Sequence, residues 1–312
     1  MNHSLLSAQS VCPLSHLALW HITGADTLDF MQSQLTSSVN DLTENQAVLA
    51  GFCQAKGRLQ ATMLVWRDPQ QPAHLYVMID RSIEEQVRKR LSMFVLRAKV
   101  NITPIHTKVY GALLPDSPGF QLPQAHYAVR HEQALTWIAA PNASEQSARA
   151  WVIDWDNQIQ AAELSPAHWA AADIYAGLPW VQAPIYETFL PQDINLDIIG
   201  GVNFKKGCFP GQEVVARLHY RTTAKRRAAL GTLAMDAQSD IRAGMDIFAC
   251  DDLERPCGRI INAAYDPQAQ CWALLMEVHI EQIQTQSICL ASAPQTAITV
   301  QTLPYGWEIA KY

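Results

Sequence analysis

From about residue 228 onward the chain is written in short β-type segments, and no other feature narrows its possible folds as much. "AALGTLAM", "GMDIFAC", "GRIINAAYD", "CWALLMEVHI", "SICLAS" and "TAITVQTL" follow one another, with turn signals at "AG", "DPQ" and "SAP" between them. Six short strands at this spacing predict a small antiparallel barrel of roughly 85 residues. The text before it is of another kind, mixing helical and strand patterns. The expected division is therefore an α+β body over residues 1–225, in two interleaved subdomains, and a C-terminal β-barrel over 226–312.

Within the body, "TGADTLDFMQSQLTSSV" offers Asp26 as an N-cap, followed by Leu28, Met31 and Leu35 at helical spacing. "AVLAGFCQ" and "LQATMLVWRD" read as strands joined by the "AKGR" turn at 55–58, a hairpin, and "AHLYVMID" as another strand. "RSIEEQVRKRLSMFV" opens with a Ser82-x-x-Glu85 capping box and sets Ile83, Val87, Leu91 and Phe94 along one face. With "AKVNITPI" these make a helix packed on a mostly antiparallel sheet. "SEQSARAWVID" and "PAHWAAADIYAG" read as helical, and "PQDINLDIIGGVNF" as ordered loop.

Charge is unevenly spread. The 312 residues carry a formal net charge of −6, yet residues 205–227 hold Lys205, Lys206, Arg217, Arg221, Lys225, Arg226 and Arg227 against Glu213 alone. An acidic chain with one basic island argues against direct nucleic-acid binding over its whole surface and points to a specific anionic ligand or partner. No apolar run is long enough to predict a membrane span. The seven cysteines form no CxxC pair and no zinc-ligand spacing, so reduced thiols in a cytoplasmic protein are expected, and no metal.

The island contains "FKKGCFPGQEVVAR". Pro210-Gly211 makes a turn, and a short helix follows with Glu213 in its first turn and Arg217 in its last. Cys208 then sits just ahead of a helix N-terminus, beside Lys205 and Lys206. Both the helix dipole and the lysines favour a thiolate, which can serve as a nucleophile, a redox centre or a soft-metal ligand. Gly207 and Gly211 on either side allow a ligand to come close. A packed, inert thiol is the competing reading.

These residues resemble the signature K-G-C-[FY]-x-G-Q-E-x-x-x-R of the YgfZ family, folate-binding relatives of the glycine cleavage T-protein. Lys206, Gly207, Cys208, Phe209, Gly211, Gln212, Glu213 and Arg217 match it letter for letter. The resemblance runs through the chain in order: "HITGADTLDFMQSQLTSSV", "CQAKGR", "WAAADIYAGLPWV", "FLPQDINLDIIGGVNFKKG" and "TLPY" are each similar to family segments. It implies a T-protein-like body of antiparallel sheets and helices with a C-terminal barrel, and tetrahydrofolate in a central cavity. It further implies a role in making or repairing iron–sulfur enzymes, among them the methylthiotransferase that modifies tRNA, with Cys208 and Lys206 as the functional pair.

Three departures bear on the site. The family's first folate-associated Trp falls on Leu17, leaving Trp20, three residues on, either as its substitute or as a core aromatic. Trp169 matches the second, and an indole there could stack on a pterin. Tyr175 stands where the T-protein has a pterin-binding glutamate, and Gln60 and Ala61 stand where it has its acidic catalytic residue. Without that group, the alternative of a folate-dependent aminomethyl or other C1 transferase lacks its general acid/base.

Overall fold

The computed structural model describes residues 10–114, 125–142, 148–159, 162–221, 224–285 and 287–306. The first part contains β1 (Val11–Pro13), β2 (Leu17–Thr23), α1 (Thr27–Gln34), β3 (Val48–Cys53), β4 (Leu59–Arg67), β5 (Leu75–Asp80), α2 (Glu84–Val95) and β6 (Asn101–Ile105). Next come β7 (Lys108–Leu114), β8 (Val129–Glu132), β9 (Leu135–Ala140), β10 (Ala148–Asp154), α3 (Pro166–Tyr175) and α4 (Gln212–Arg221). The last part holds β11 (Arg226–Leu233), β12 (Asp246–Ala249), β13 (Asp252–Asp266), β14 (Cys271–His279), α5 (Ile280–Thr285), β15 (Ile288–Leu290), β16 (Ala293–Ala297) and β17 (Thr299–Gln301).

Among the described residues these strands form three sheets, each antiparallel throughout. One has the order β3-β4-β5-β2-β6, a second β1-β7-β10-β9-β8, and a third, of seven strands, β16-β15-β12-β13-β14-β11-β17. The third is the β-rich C-terminal text, and it curls into a half-barrel. Its longest strand, β13, slips register against both neighbours, the kind of bulge that bends a sheet. The fold is thus α+β with a curled C-terminal sheet, as the sequence pattern predicts. One strand is additional: β16 falls on the "SAP" turn signal and the residues after it.

The β3–β4 hairpin closes at residues 54–58 as expected, with Gly57 at φ +80. α2 buries Val87 and Leu91, and the turn before it Ile83, but Phe94 is exposed, with the Arg90 guanidinium 5.1 Å from its ring centre. Its N-terminal cap is also displaced from the expected box: Asp80 accepts from the Ser82 backbone N–H at 2.9 Å, and a short 3₁₀ turn leads into the helix. Asp26 does precede α1, yet its carboxylate accepts from the Lys99 N–H at 2.7 Å instead of capping the helix.

The helical reading of "SEQSARAWVID" is corrected for residues 148–154, which form β10; residues 143–147 lie outside the described residues. β10 is paired on both edges, by β7 and β9, and six of its seven residues are buried. A strand covered on both faces loses the alternation that marks strands in sequence. α3 packs against β13 and β14 of the half-barrel. The largest core accordingly runs from Leu19 and Trp20 in β2 through Trp151 and Trp169 to Ala228, Leu230 and Leu275 of the C-terminal sheet.

Candidate functional site

The signature segment is reached through a loop held tightly to the end of α1. Thr36 Oγ1 donates to the Gly201 carbonyl at 2.6 Å and accepts from the Gly51 N–H at 2.7 Å, while the Asn203 N–H donates to the Thr36 carbonyl at 2.9 Å. The Asn203 side chain then turns the chain, its Oδ1 accepting from the backbone N–H groups of Lys205 and Lys206 at 2.9 and 3.2 Å.

Lys206 reaches away from this turn. Its ammonium donates to the carbonyls of Gln32 in the last turn of α1, of Leu35 at its C-cap and of Ser37 just beyond. Burial lowers its pKa to about 8, which still leaves it mostly charged at neutral pH. Phe209 is buried beneath, its ring centre 5.6 Å from the Lys206 nitrogen. Three donors engaged with three carbonyls leave Lys206 no proton to give to Cys208. In this arrangement Lys206 anchors the loop to the end of α1.

Cys208 itself is exposed, four residues before the start of α4. The turn between them needs Gly211: its φ is +82, and a Cβ there would lie 2.5 Å from Gly57 Cα and 2.7 Å from the Gln54 carbonyl. The "AKGR" hairpin turn and the signature thus meet backbone to backbone, which explains why both carry glycine. At Gly207 a Cβ would meet nothing within 4 Å, so open space surrounds that residue. Gln212 opens α4, Glu213 and Arg217 are exposed on it, and Val215 is its buried anchor, its carbonyl accepting from Gln192 Nε2 at 2.7 Å. Near its C-terminal end the His219 ring stacks on Phe204 with centroids 3.7 Å apart.

Behind this loop lies a cavity of about 820 Å³. Ser37, Ser38 and Gln46 form part of its wall, with Tyr127, Asn142, Gly177, Ile199, Asn203 and Tyr305. Asn142 Oδ1 is buried without a hydrogen-bond partner among the described residues. The Tyr305 hydroxyl donates to the Gly177 carbonyl at 2.9 Å, bringing the end of the chain back to the cavity. Ser37 and Asn203 are common to the cavity wall and to the bonds that hold Lys206.

The three expected aromatic contacts are not on this wall. Trp20 is fully buried in β2 and donates to Glu84 at 3.2 Å, which makes it a core aromatic. Trp169 is also fully buried, one layer behind the cavity: Tyr127 stacks on Trp151 at 6.4 Å, and Trp151 meets Trp169 edge-on at 6.3 Å. The Arg149 guanidinium covers the Trp169 ring at 4.6 Å, and Gly111 of β7 passes so close that a Cβ would lie 2.3 Å from it. Tyr175 donates to Asp266 at 3.1 Å in the C-terminal sheet, and burial, with Asp266 beside it, pushes its phenol upward. Gln60 and Ala61 are buried in β4 and likewise do not line the cavity. The wall residues that sequence reasoning missed have one partial signal: Asn203 and Tyr305 fall inside "GGVNFKKG" and "TLPY". Tyr127, at φ +64, and Asn142 stand in stretches without a pattern.

Comparison with curated proteins decides the family. The chain is 32% identical over 315 aligned residues to the tRNA-modifying protein YgfZ of Shigella boydii serotype 18 (strain CDC 3083-94 / BS512), covering 95% of this chain and 93% of that protein. The chain belongs to the YgfZ family. The namesake from Escherichia coli strain SE11 gives the same identity and coverage, and that from Escherichia coli O7:K1 (strain IAI39 / ExPEC) is 31% identical. No protein-family model matches the chain. Among solved structures, the glycine cleavage system aminomethyltransferase T from Bartonella henselae superposes with a TM-score of 0.67 at 12% identity, over 95% of this chain and 86% of that one. The YgfZ-type chain therefore has the aminomethyltransferase fold. Among its described residues no helix is long and apolar enough to cross a membrane.

Proposed function

We propose that this YgfZ-family chain is a cytoplasmic, tetrahydrofolate-binding accessory protein for the synthesis or repair of iron–sulfur enzymes, working through Cys208. The observation that carries the reading is the join between cavity and signature. Asn203 and Ser37 belong to both, and Cys208 stands exposed on the outer side of the same loop.

The cavity suits a reduced folate. Its volume of about 820 Å³ lies in the range of sites for ligands of that size. Tyr127 offers an aromatic wall, and the unpartnered Asn142 Oδ1 can accept from a ring N–H. Folate, when bound, supplies a carrier for one-carbon units. On the outer side, a thiol ahead of α4 can act as nucleophile or soft ligand toward a client. The client is read as a protein, the tRNA methylthiotransferase being one case, because the chain as a whole is acidic and three of the island's seven basic residues are engaged inside it. Arg226 pairs with Glu277 at 2.9 Å, Arg227 with Asp197 at 2.7 Å, and Lys206 with carbonyls. In the alternative reading, a C1 transferase, no carboxylate stands at position 60 or 61.

The test is tetrahydrofolate titration followed by tryptophan emission, paired with complementation of a strain lacking the family member. Wild type and Cys208→Ala should bind alike, and Asn142→Ala should bind about fivefold to tenfold more weakly, the worth of one hydrogen bond of ~1 kcal/mol. Cys208→Ala should fail to restore iron–sulfur enzyme activity. Absence of folate binding, or full complementation by Cys208→Ala, would overturn the proposal. Formation of methylenetetrahydrofolate, with release of ammonia, from an aminomethyl thioether donor would favour the transferase.

A further inference from the structure

Away from the cavity, on the β3-β4-β5-β2-β6 sheet, two histidines and an aspartate converge. Asp68 and His74 are the residues on either side of the β4–β5 loop, closed by the Asp68 N–H donating to the His74 carbonyl at 3.0 Å. His21 lies on β2 directly across from Tyr76, and Tyr76 is two residues beyond His74 on β5. Opposed residues of antiparallel strands share a face, as do residues two apart on one strand. Sheet geometry therefore puts His21, Asp68 and His74 on one face.

We infer that His21, Asp68 and His74 form a binding site for a divalent transition metal of the zinc class. One ligand atom from each residue lies within 4.8 Å of the other two, and His21 Nε2 is 3.0 Å from Asp68 Oδ2. Metal–ligand bonds of about 2.0–2.2 Å place tetrahedral ligand atoms roughly 3.3–3.5 Å apart, so small side-chain rotations complete the site while the backbone stays in register. Two imidazoles and one carboxylate are the borderline donor set that suits zinc, and three protein ligands leave a fourth position for water.

Two further observations point to a ligand rather than a simple ion pair. His74 Nδ1 is buried without a hydrogen-bond partner among the described residues. The surroundings also orient the ligands as an outer shell does: Asp68 Oδ1 accepts from the Gln70 N–H at 2.9 Å, and the Tyr76 ring stacks on His21 at 4.6 Å and 20°. With its proton on Nδ1, neutral His21 has the Nε2 lone pair available for the metal. The Asp68 side chain is 8% exposed and that of His21 27%, which leaves an entry path from solvent. A bound ion would tie the 68–74 loop to β2.

The experiment uses the full chain stripped of metal by a chelator. Zinc affinity is measured by competition with a chromophoric chelator, and cobalt(II) is the spectroscopic probe of geometry. One equivalent of each should bind, with the intense visible bands of a tetrahedral cobalt site. Asp68→Asn and His74→Ala should each weaken binding more than about a hundredfold, beyond the loss expected for an outer-shell partner. His106→Ala, an exposed histidine elsewhere, should leave it unchanged. Circular dichroism checks that each variant folds, and Asp68→Asn, which keeps the side-chain shape, serves if His74→Ala does not. No stoichiometric binding in wild type, or equal affinity in the folded Asp68 and His74 variants, would overturn the site.

Discussion

An ammonium drawn partly out of water needs acceptors for all three of its protons, and Lys206 finds them in the carbonyls of Gln32, Leu35 and Ser37. One residue thus closes the end of α1 and fixes the loop shared by signature and cavity. Lys206→Met keeps much of the aliphatic stem but leaves those carbonyls without a donor, which should cost about 1–3 kcal/mol in urea unfolding at pH 7. The pH dependence has a definite sign. Burial lowers the folded pKa from 10.5 to about 8, so between these values the unfolded chain holds a proton that the folded chain has lost. Stability contributed at this residue then rises with pH across that interval. The gap in unfolding free energy between wild type and Lys206→Met should widen from pH 8 to pH 10.5. A gap that narrows would mean that Lys206 is not the buried, carbonyl-bound amine described here.

Between elements, a buried ion pair joins β10 to α3. Arg149, 4% exposed, donates to Asp173 Oδ1 at 2.9 Å, and the Trp180 indole N–H donates to Asp173 Oδ2 at 3.1 Å. Asp173→Ala strands a buried guanidinium and should destabilise the fold by about 3–5 kcal/mol, whereas replacing both partners, Arg149→Met with Asp173→Leu, should recover much of that loss. A denaturation series on the single and double variants reads this directly; additive losses would show that the two groups do not act as a pair. One of the two partners lies in text that was hard to read. Arg149 belongs to "SEQSARAWVID", whose Ala, Glu and Gln content favours helix locally, and only pairing with β7 and β9 makes it a strand. The β3–β4 hairpin, α3 and the C-terminal strands were legible because their periodicity and turn residues act locally. The signature was legible as a motif, but the direction of Lys206 was not: its partners lie about 170 positions earlier in the chain. Likewise 21, 68 and 74 make no ligand spacing until β2 and β5 are paired.

Over the whole molecule, the cavity is closed by parts drawn from distant points of the chain: the end of α1, the residues around Tyr127, the turn after α3, the loop before the signature, and Pro304-Tyr305. Tyr305 is the piece supplied after the last strand of the half-barrel. Its hydroxyl reaches the Gly177 carbonyl at 2.9 Å, and Gly177, at φ +67, has no room for a Cβ, which would lie 2.6 Å from the tyrosine ring. Burial raises the phenol to about 12 from its usual 10, partly offset by a hydrogen bond with Asn195. The unfolded chain therefore loses this proton first, and the stability tied to Tyr305 is present below pH 10 and declines as pH climbs toward 12. Tyr305→Phe should cost about 0.5–1.5 kcal/mol at pH 7 through the lost hydrogen bond, and its deficit relative to wild type should shrink above pH 10. Tyr305→Ala goes further, removing part of the cavity wall while leaving Cys208 and α4 in place. If the cavity holds folate, this variant should show weaker quenching by tetrahydrofolate than Tyr305→Phe, with the rate of Cys208 alkylation by iodoacetamide unchanged. Equal folate affinity in the folded Tyr305→Ala chain would mean that folate binds elsewhere and that the C-terminal segment serves stability alone.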